Sequence, residues 1–446
     1  MERLLTSALS YCFSYSFFGV SEIHSRVLDL SQRIRCPSRQ RVRVRCKISE
    51  KVEITKTDDF IITVKSTVEG THCHRCGKPI TKAYGHGRAL TLRHLSILGR
   101  RTYLRIHPIR YQCCECPGKP TTTQRLPWYD PRSSHTKAYE DHVLFELVNS
   151  TVADVSGKEG VGYEAVMGII DRHIDKAVDW QRIERLGVVG LDEISLKKGH
   201  KDFVTIVSAR WGDQKRVLAV LEGRQKETVK AFLSSIPKEL RDTVEAVCTD
   251  MYDGYINAAK EVFGKKVRMV ADRFHVAKLY RKGVDELRKQ ELKRLKKELP
   301  KEDYTELKGA MWVLRKDKAE LSQQELNTLA CLFICSPLLK LAYEECNELT
   351  AIFDAPFSQR QAIKEMKKWK KRIEKSVLTC FDDFLTTLDR RMPEISNYFK
   401  GRFNSGFVEG LNNKIKVIKR RCYGILNVDH LFQRIHLDLA GYAAFY

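Results

Sequence analysis

From Leu186 the apolar positions come in short runs cut by polar turns, and LGVVGLDEISL, KDFVTIVSAR and RVLAVLEG read as three successive strands rich in β-branched residues. The period then changes. KETVKAFLSSI is helical, TVEAVCTD a strand, YDGYINAAKEVF helical, VRMVAD a strand, and a further helix starts near FHVAKLY. Asp192 falls at the end of the first strand and Asp250 at the end of the fourth. If those strands pair, two carboxylates project from neighbouring strand ends. A strand-ending Asp commonly caps the helix that follows it. The same pair also suits Mg²⁺, which takes few protein carboxylates and keeps water and phosphate oxygens.

Three hairpin-like strands followed by alternating helix and strand predict a mixed α/β sheet in the order of an RNase H-like fold. Residues 276 to 400 are almost continuously helical in pattern and very basic, with RKGVDELRKQELKRLKKELPKE and KEMKKWKKRIEK as the extreme stretches. Runs of charge on helices are ordinarily solvated faces. Here the cation excess, with Trp312 and Trp369 among it, predicts a helical insertion lying along a nucleic acid. Beyond it, SGFVEGLNNKIKVIKRR places Glu409, Asn413, Lys416 and Arg420 on one helical face and Val408, Leu411, Ile415 and Ile418 on the other. An amphipathic surface helix would look the same. Two acids upstream favour the alternative, a carboxylate and cations aimed together at a metal ion and a phosphate backbone.

Towards the amino terminus, residues 1 to about 45 lack clear periodicity, and KVEITKTDDFIITVKSTV reads as two strands. YEDHVLFELVNS and TVADVSGKEGVGYEAVMGIIDRHI are helical with a turn around Gly157 to Gly162, which fits a helix-turn-helix or a plain helical hairpin between domains.

Composition narrows the class. A chain of 446 residues with 43% hydrophobic residues is long enough for two or more packed domains, and Lys+Arg 79 against Asp+Glu 56 gives a net charge of +23 spread along its length. A polyanion is the expected partner, nucleic acid before membrane. No run of about 18 apolar residues predicts a membrane span. LLTSALSYCFSYSFFGV is rich in Ser and Tyr and lacks a cationic region before it, so it does not read as a secretory signal.

Of 14 cysteines, five crowd between Cys73 and Cys116 and the rest lie scattered in apolar segments, a pattern of reduced thiols plus a metal site in a cytoplasmic protein. Cys73-x-x-Cys76 and Cys113-x-x-Cys116 are knuckle pairs suited to tetrahedral Zn²⁺. The strands TLRHLSI and RRTYLRIHPIRYQC between them are expected to bring the pairs together. His72, His74 and Cys114 leave the fourth ligand open. A closed four-coordinate site is structural, and the Arg and His residues around it suit phosphate contacts.

CHRCGKP, CCECPGKP, GLDEISLKKGH, CTDMYDGYINAAKEVF, VRMVADRFHVAKL and GFVEGLNNKIKVIKRRCYG, in this order, resemble the bacterial insertion-sequence transposases of the ISL3 family from about Thr71 to the carboxyl terminus. The first 45 residues depart from that family's usual short start. The resemblance implies a DDE transposase with Asp192 as the first catalytic Asp, Asp250 as the second and Glu409 as the Glu. Asp272 and His275 match a D-x-x-H signature after the second Asp. It further implies Mg²⁺ or Mn²⁺ at the three acids, double-stranded DNA of element ends and target as partner, a homo-oligomer on DNA and a place at the nucleoid.

In that mechanism Asp192 bridges two metal ions and Asp250 and Glu409 each complete one. His275 holds the scissile phosphate or shuttles a proton, unless it is a core histidine. Lys197, Lys198, Lys414, Lys416 and Arg420 are assigned to the DNA backbone. The expected domains are an extension at 1–45, a zinc-binding module at 46–135, a helix-turn-helix at 136–182, the catalytic core at 183–280 and 401–446, and a basic helical insertion at 281–400. Two other classes compete. A zinc-containing DNA-binding regulator leaves the acids unexplained, and a nuclease or resolvase on the same fold does not need so large a basic insertion.

Overall fold

The computed structural model describes residues 46–196, 202–316, 320–403 and 406–445. The extension at 1–45 and the cations Lys197 and Lys198 lie outside them. Two compact units are present, one made of the described residues up to Ile170 together with those from Ala440, the other spanning Asp171–Leu439.

In the first unit the strands are β1 (Cys46–Ile54), β2 (Phe60–Ser66), β3 (Thr71–His72), β4 (Pro79–Ile80), β5 (Ala83–His86), β6 (Leu90–Ile97), β7 (Arg100–Ile106), β8 (Ile109–Gln112) and β9 (Thr121–Thr123). A four-stranded sheet has the order β1-β2-β7-β6, and its alternating Ile62, Val64, Leu92, Leu104 and Ile106 are buried under Leu126 and Trp128. TLRHLSI is therefore a strand, but it does not serve the cysteine knuckles as expected. RRTYLRIHPIRYQC is two strands. Pro108 has no N–H to continue a ladder, and only the leg after it, β8, pairs with β5 and β9 in the small sheet beside the knuckles.

Three helices follow: α1 (Lys137–Leu147), α2 (Val152–Glu159) and α3 (Tyr163–His173). Thr151 caps α2, its side chain accepting from the backbone N–H of Asp154. Gly160 ends it at φ +61, a left-handed position that favours glycine. Glu159 accepts from Tyr139 Oη and bonds His142 Nε2, each at 3.0 Å, locking α1 to the end of α2.

The second unit is built on β10 (Gly187–Ser195), β11 (Phe203–Trp211), β12 (Gln214–Glu222), β13 (Val244–Thr249) and β14 (Arg268–Ala271). The order β12-β11-β10-β13-β14, antiparallel through β10 and parallel from there, is the predicted mixed sheet. Because β10 is central and covered on both faces, it reads as a nearly unbroken apolar run. On one face Val189, Leu191, Val207 and Val247 meet α4 (Lys226–Ser235) and α5 (Asp253–Phe263) through Val229, Leu233, Tyr255 and Ala259.

On the other face, Val188, Ala246, Cys248 and Val270 join a helical cluster that includes α6 (Arg273–Glu298), α7 (Gln323–Cys335), α8 (Pro337–Asp354), α9 (Gln359–Ile373) and α10 (Asp382–Ser396). In α9 the lysines 364, 367, 368 and 371 are exposed, while Ala362, Met366, Trp369 and Ile373 are buried. Trp369 is thus not a nucleic-acid contact. It is 1% exposed, edge-on to Phe381 and Phe384, with its indole N–H donating to the Glu345 carbonyl at 3.0 Å. Its spacing from Met366 and Ile373 makes it the apolar stripe of an amphipathic helix, whereas Trp312 is 62% exposed.

The unit closes with α11 (Gly406–Arg421) and α12 (Val428–Ala440). No described helix is long and apolar enough to cross a membrane.

Candidate active site and metal centre

The strand register decides where the acids lie. Leu191 of β10 is opposite Thr249 of β13, and Thr249 is opposite Ala271 of β14. The next residue along each is therefore an aspartate, and Asp192, Asp250 and Asp272 form a row where the parallel pairing stops; Asp192 does not end its strand as expected, because β10 continues to Ser195 against β11. Ligands of open α/β sheets bind outside the carboxyl ends of the parallel strands. Period-two alternation puts Asp192 on the face that Val188 and Ile194 share, away from Leu191. Its neighbour Glu193 is turned to the opposite face and ion-pairs with Arg224 at 3.2 Å.

Each aspartate is held. Asp250 accepts from the Tyr252 backbone N–H at 3.0 Å. Asp272, 4% exposed, caps α6 by accepting from the Phe274 N–H at 3.2 Å, and its other oxygen lies 2.9 Å from His275 Nδ1. Desolvation raises the Asp192 and Asp250 carboxyls above the ordinary range, and neighbouring acids add to it. His275 is raised as well, first by its bond to Asp272 and then by the charges of Asp272, Asp192 and Asp250. His275 thus lies in the field of all three acids.

Helix α11 meets this row through its apolar stripe. Val408, Leu411, Ile415 and Ile418 are buried as their spacing predicts, the last three against Ile194, Val204, Ile206, Val217 and Val220. Glu409 lies in its first turn and is exposed, as are Lys414, Lys416 and Arg420. Among the described residues Glu409 enters no ion pair, in contrast to Glu344, Glu345, Glu365 and Glu374 of the insertion, which pair with Lys340, Arg372, Lys368 and Lys370.

Two residues of α11 were missed from sequence. Asn412, 3% exposed, donates through Nδ2 to Asp192 Oδ2 at 2.6 Å, and its buried Oδ1 has no partner among the described residues. Lys419 reaches back to the carbonyls of Ser195 and, at 2.9 Å, Leu196, and burial lowers its ammonium from the ordinary range. Both are polar residues within or bordering the apolar stripe, and that departure from the pattern was the available signal. Asn412 and Lys419 fix the helix to the strand that carries Asp192.

The four cysteines form the other centre. Cys73 and Cys76 sit in the turn between β3 and β4, Cys113 and Cys116 in the turn between β8 and β9. Their sulfurs all lie within 4.8 Å of one another, the only group of three or more His, Cys, Asp or Glu ligands so gathered among the described residues. The Cys73–Cys116 and Cys76–Cys113 sulfur separations are 4.0 and 3.8 Å. A zinc tetrahedron with bonds of about 2.3 Å has edges of about 3.8 Å, so the set fits. Backbone N–H groups of Cys76 and Arg75 draw the Cys73 thiol down to about 6, and hydrogen bonding with Cys76 leads in pushing Cys116 up to about 12. Crowded thiols that cannot all ionise together are relieved by a divalent cation. The open choice of fourth ligand falls to the cysteines, since Cys114, His72 and His74 are not in the gathered group and His74 Nδ1 is 3.0 Å from Thr122 Oγ1.

Comparison with known proteins bears on the family and on the zinc centre. A zinc-finger model of the transposases of IS204, IS1001, IS1096 and IS1165 matches residues 69–116, the helix-turn-helix domain of transposase family ISL3 matches 124–174, and the transposase model of that family matches 189–435. The chain is 28% identical to the transposase for insertion sequence element IS1001 of Bordetella parapertussis, over 86% of this chain and 92% of the relative. It is 24% identical to the transposase for insertion sequence element IS1557 of Mycobacterium tuberculosis, over 83% and 86%. With its transposase model matched over more than half of the sequence, behind a zinc finger and a helix-turn-helix, the chain belongs to transposase family ISL3 and is a DDE transposase.

Proposed function

We propose that Asp192, Asp250 and Glu409 hold two divalent ions, Mg²⁺ or Mn²⁺, with which the protein cleaves DNA at the ends of its insertion sequence and joins those ends to a target. The observation that carries this reading is the row of aspartates where the parallel pairing stops, with the Glu409 helix hydrogen-bonded to its first member. Half-buried carboxyls held above their ordinary range on neighbouring strands are a site that a cation would stabilise. Bound there, the ions supply activation of water or a 3′-hydroxyl and neutralisation of the leaving oxygen.

The chain's own residues do the positioning. Asp192 is oriented by Asn412, and Asp250 by the Tyr252 N–H. Asp272 fixes His275 through Nδ1, leaving Nε2 to bond a phosphate oxygen or pass a proton. Glu409 lies one helical turn from Asn412 at the start of the same rigid helix. The working division is a zinc module at 46–135, a DNA-reading segment at 136–182, a core at 183–280 and 401–446, and an insertion at 281–400. Assembly as a homo-oligomer on paired element ends, at the nucleoid, follows from the need to join two ends.

The test is incubation with DNA carrying the element's own ends and Mg²⁺, followed by sequencing. Covalent joining of an end to target DNA supports the proposal; strand nicks without joining indicate a nuclease.

Two further outcomes are expected. Asn412→Ala should weaken Mn²⁺ binding, read by calorimetry or electron paramagnetic resonance, by about 10- to 100-fold, with duplex binding unchanged. Unaltered Mn²⁺ affinity would remove Asn412 from the site. Lys416→Ala should lower the slope of log affinity against log salt by about one, the share of a single neutralised phosphate, equally on all duplex sequences. An unchanged slope would place Lys416 off the backbone.

A further inference from the structure

Helix α11 ends in an unusual way. The Tyr423 N–H donates to the Arg420 carbonyl at 3.1 Å and the Gly424 N–H to the Lys419 carbonyl at 2.9 Å, the paired bonds of a Schellman turn. Its left-handed position is ordinarily glycine, because a Cβ there crowds the following carbonyl. In this chain the residue is Tyr423, at φ +52. The strain is not recovered by packing, since the side chain is 95% exposed. A strained, outward-held aromatic is the kind of outlier from which function is inferred.

The surroundings define its ligand. Lys416 and Arg420 are exposed beside it on the last turns, and Val417 and Leu426 are 50% and 58% exposed. Cations interleaved with an aromatic face are a platform for a nucleic-acid strand, with the ring stacking on a base and the cations tracking the phosphates. A base inside an intact duplex is stacked on both sides and offers no free face, so the ligand is an unpaired or extruded one.

We propose that Tyr423 stacks on an unpaired DNA base one helix length from the catalytic centre. The spacing rests on the reading of Glu409 given above. From Glu409 to Tyr423 the chain rises along the helix by roughly 20 Å at about 1.5 Å per residue. At about 3.4 Å per nucleotide of intervening duplex, this puts the stacked base roughly six steps from the nucleotide that Glu409 meets.

The experiment uses the full chain in buffer without added divalent ions, so that stacking is read without cleavage. A fluorescent single-stranded oligothymidine of about 16 nucleotides is titrated beside a blunt duplex of equal length. Tyr423→Gly and Tyr423→Ala are expected to lose about tenfold in affinity for the single strand and less than about twofold for the duplex, with Tyr423→Phe retaining wild-type affinity. Tyr423→Gly should at the same time raise the melting temperature by about 2 °C, because it relieves the left-handed strain. The opposite signs separate a ligand contact from a structural role.

Equal loss on both probes, no loss in Tyr423→Gly, or loss in Tyr423→Phe overturns the proposal. So does a wild-type dimer without DNA that Tyr423→Ala converts to monomer, which would assign the tyrosine to a second copy of the chain. If Glu409→Gln stays active, only the six-step spacing falls, and the oligothymidine result is unaffected.

Discussion

Glu409→Gln is expected to eliminate strand cleavage and strand transfer, a fall of about a thousandfold or more, while Glu374→Gln stays within about twofold of wild type. Both changes remove one negative charge and almost no volume, so the difference isolates position. Glu374 is a helix-surface acid 3.4 Å from Lys370, a pair worth only about 0.3 to 0.5 kcal/mol. Glu409 starts the helix whose Asn412 touches Asp192. Asp250→Asn should be equally inactive with binding of element ends nearly intact, because the positive surface is untouched. Gel-resolved cleavage and a binding titration on the same DNA provide the readout. An active Glu409→Gln beside a dead Glu374→Gln would invert the proposed placement of the insertion and with it the boundary near residue 400.

Cys76→Ser should unfold the zinc module and reduce binding of element ends by about a hundredfold, a fraction of the margin that separates specific from non-specific sites. In small metal-held units the free energy of metal binding is the free energy of folding, on the order of 10 kcal/mol. The knuckles here have little else: the core around them is Ile80 and Tyr111 with the cysteines themselves. Elemental analysis of protein prepared without chelator should give one zinc per chain in wild type and none in the variant. Zinc-free wild-type protein that still binds element ends specifically would refute a structural role. The catalytic unit should be spared, and Mn²⁺ binding by Cys76→Ser is the control that separates the two centres.

Much of this protein is legible in one dimension because its chemistry is tied to periodicity. Asp192 and Asp250 each follow directly on a run of strand positions, and Cys-x-x-Cys is a local turn whose geometry needs no distant contact. The apolar stripe of α11 follows from 3.6 residues per turn, and so does the direction of its exposed cations. What failed were inferences that needed to know what lies across from a residue. Trp369 stands among lysines in sequence, but the helix turns it into a core of phenylalanines. The strand TLRHLSI stands between the knuckles in sequence, whereas its pairing with β7 carries it into another sheet.

The row of three aspartates arises because parallel neighbours in register bring together residues 192, 250 and 272, and register is set by tertiary pairing, not by the spacing of letters. Asn412 and Lys419 are the clearest case: each is a polar residue at the edge of an apolar stripe, and only packing against β10 gives it a carboxylate or a pair of carbonyls to bond. The sequence by itself determined most of the elements and the grouping of the thiols, and it nominated the acids, since these depend on residue type and local period. The tertiary structure decided which of them meet, because hydrogen bonding, desolvation and strand register exist only between segments far apart in the chain.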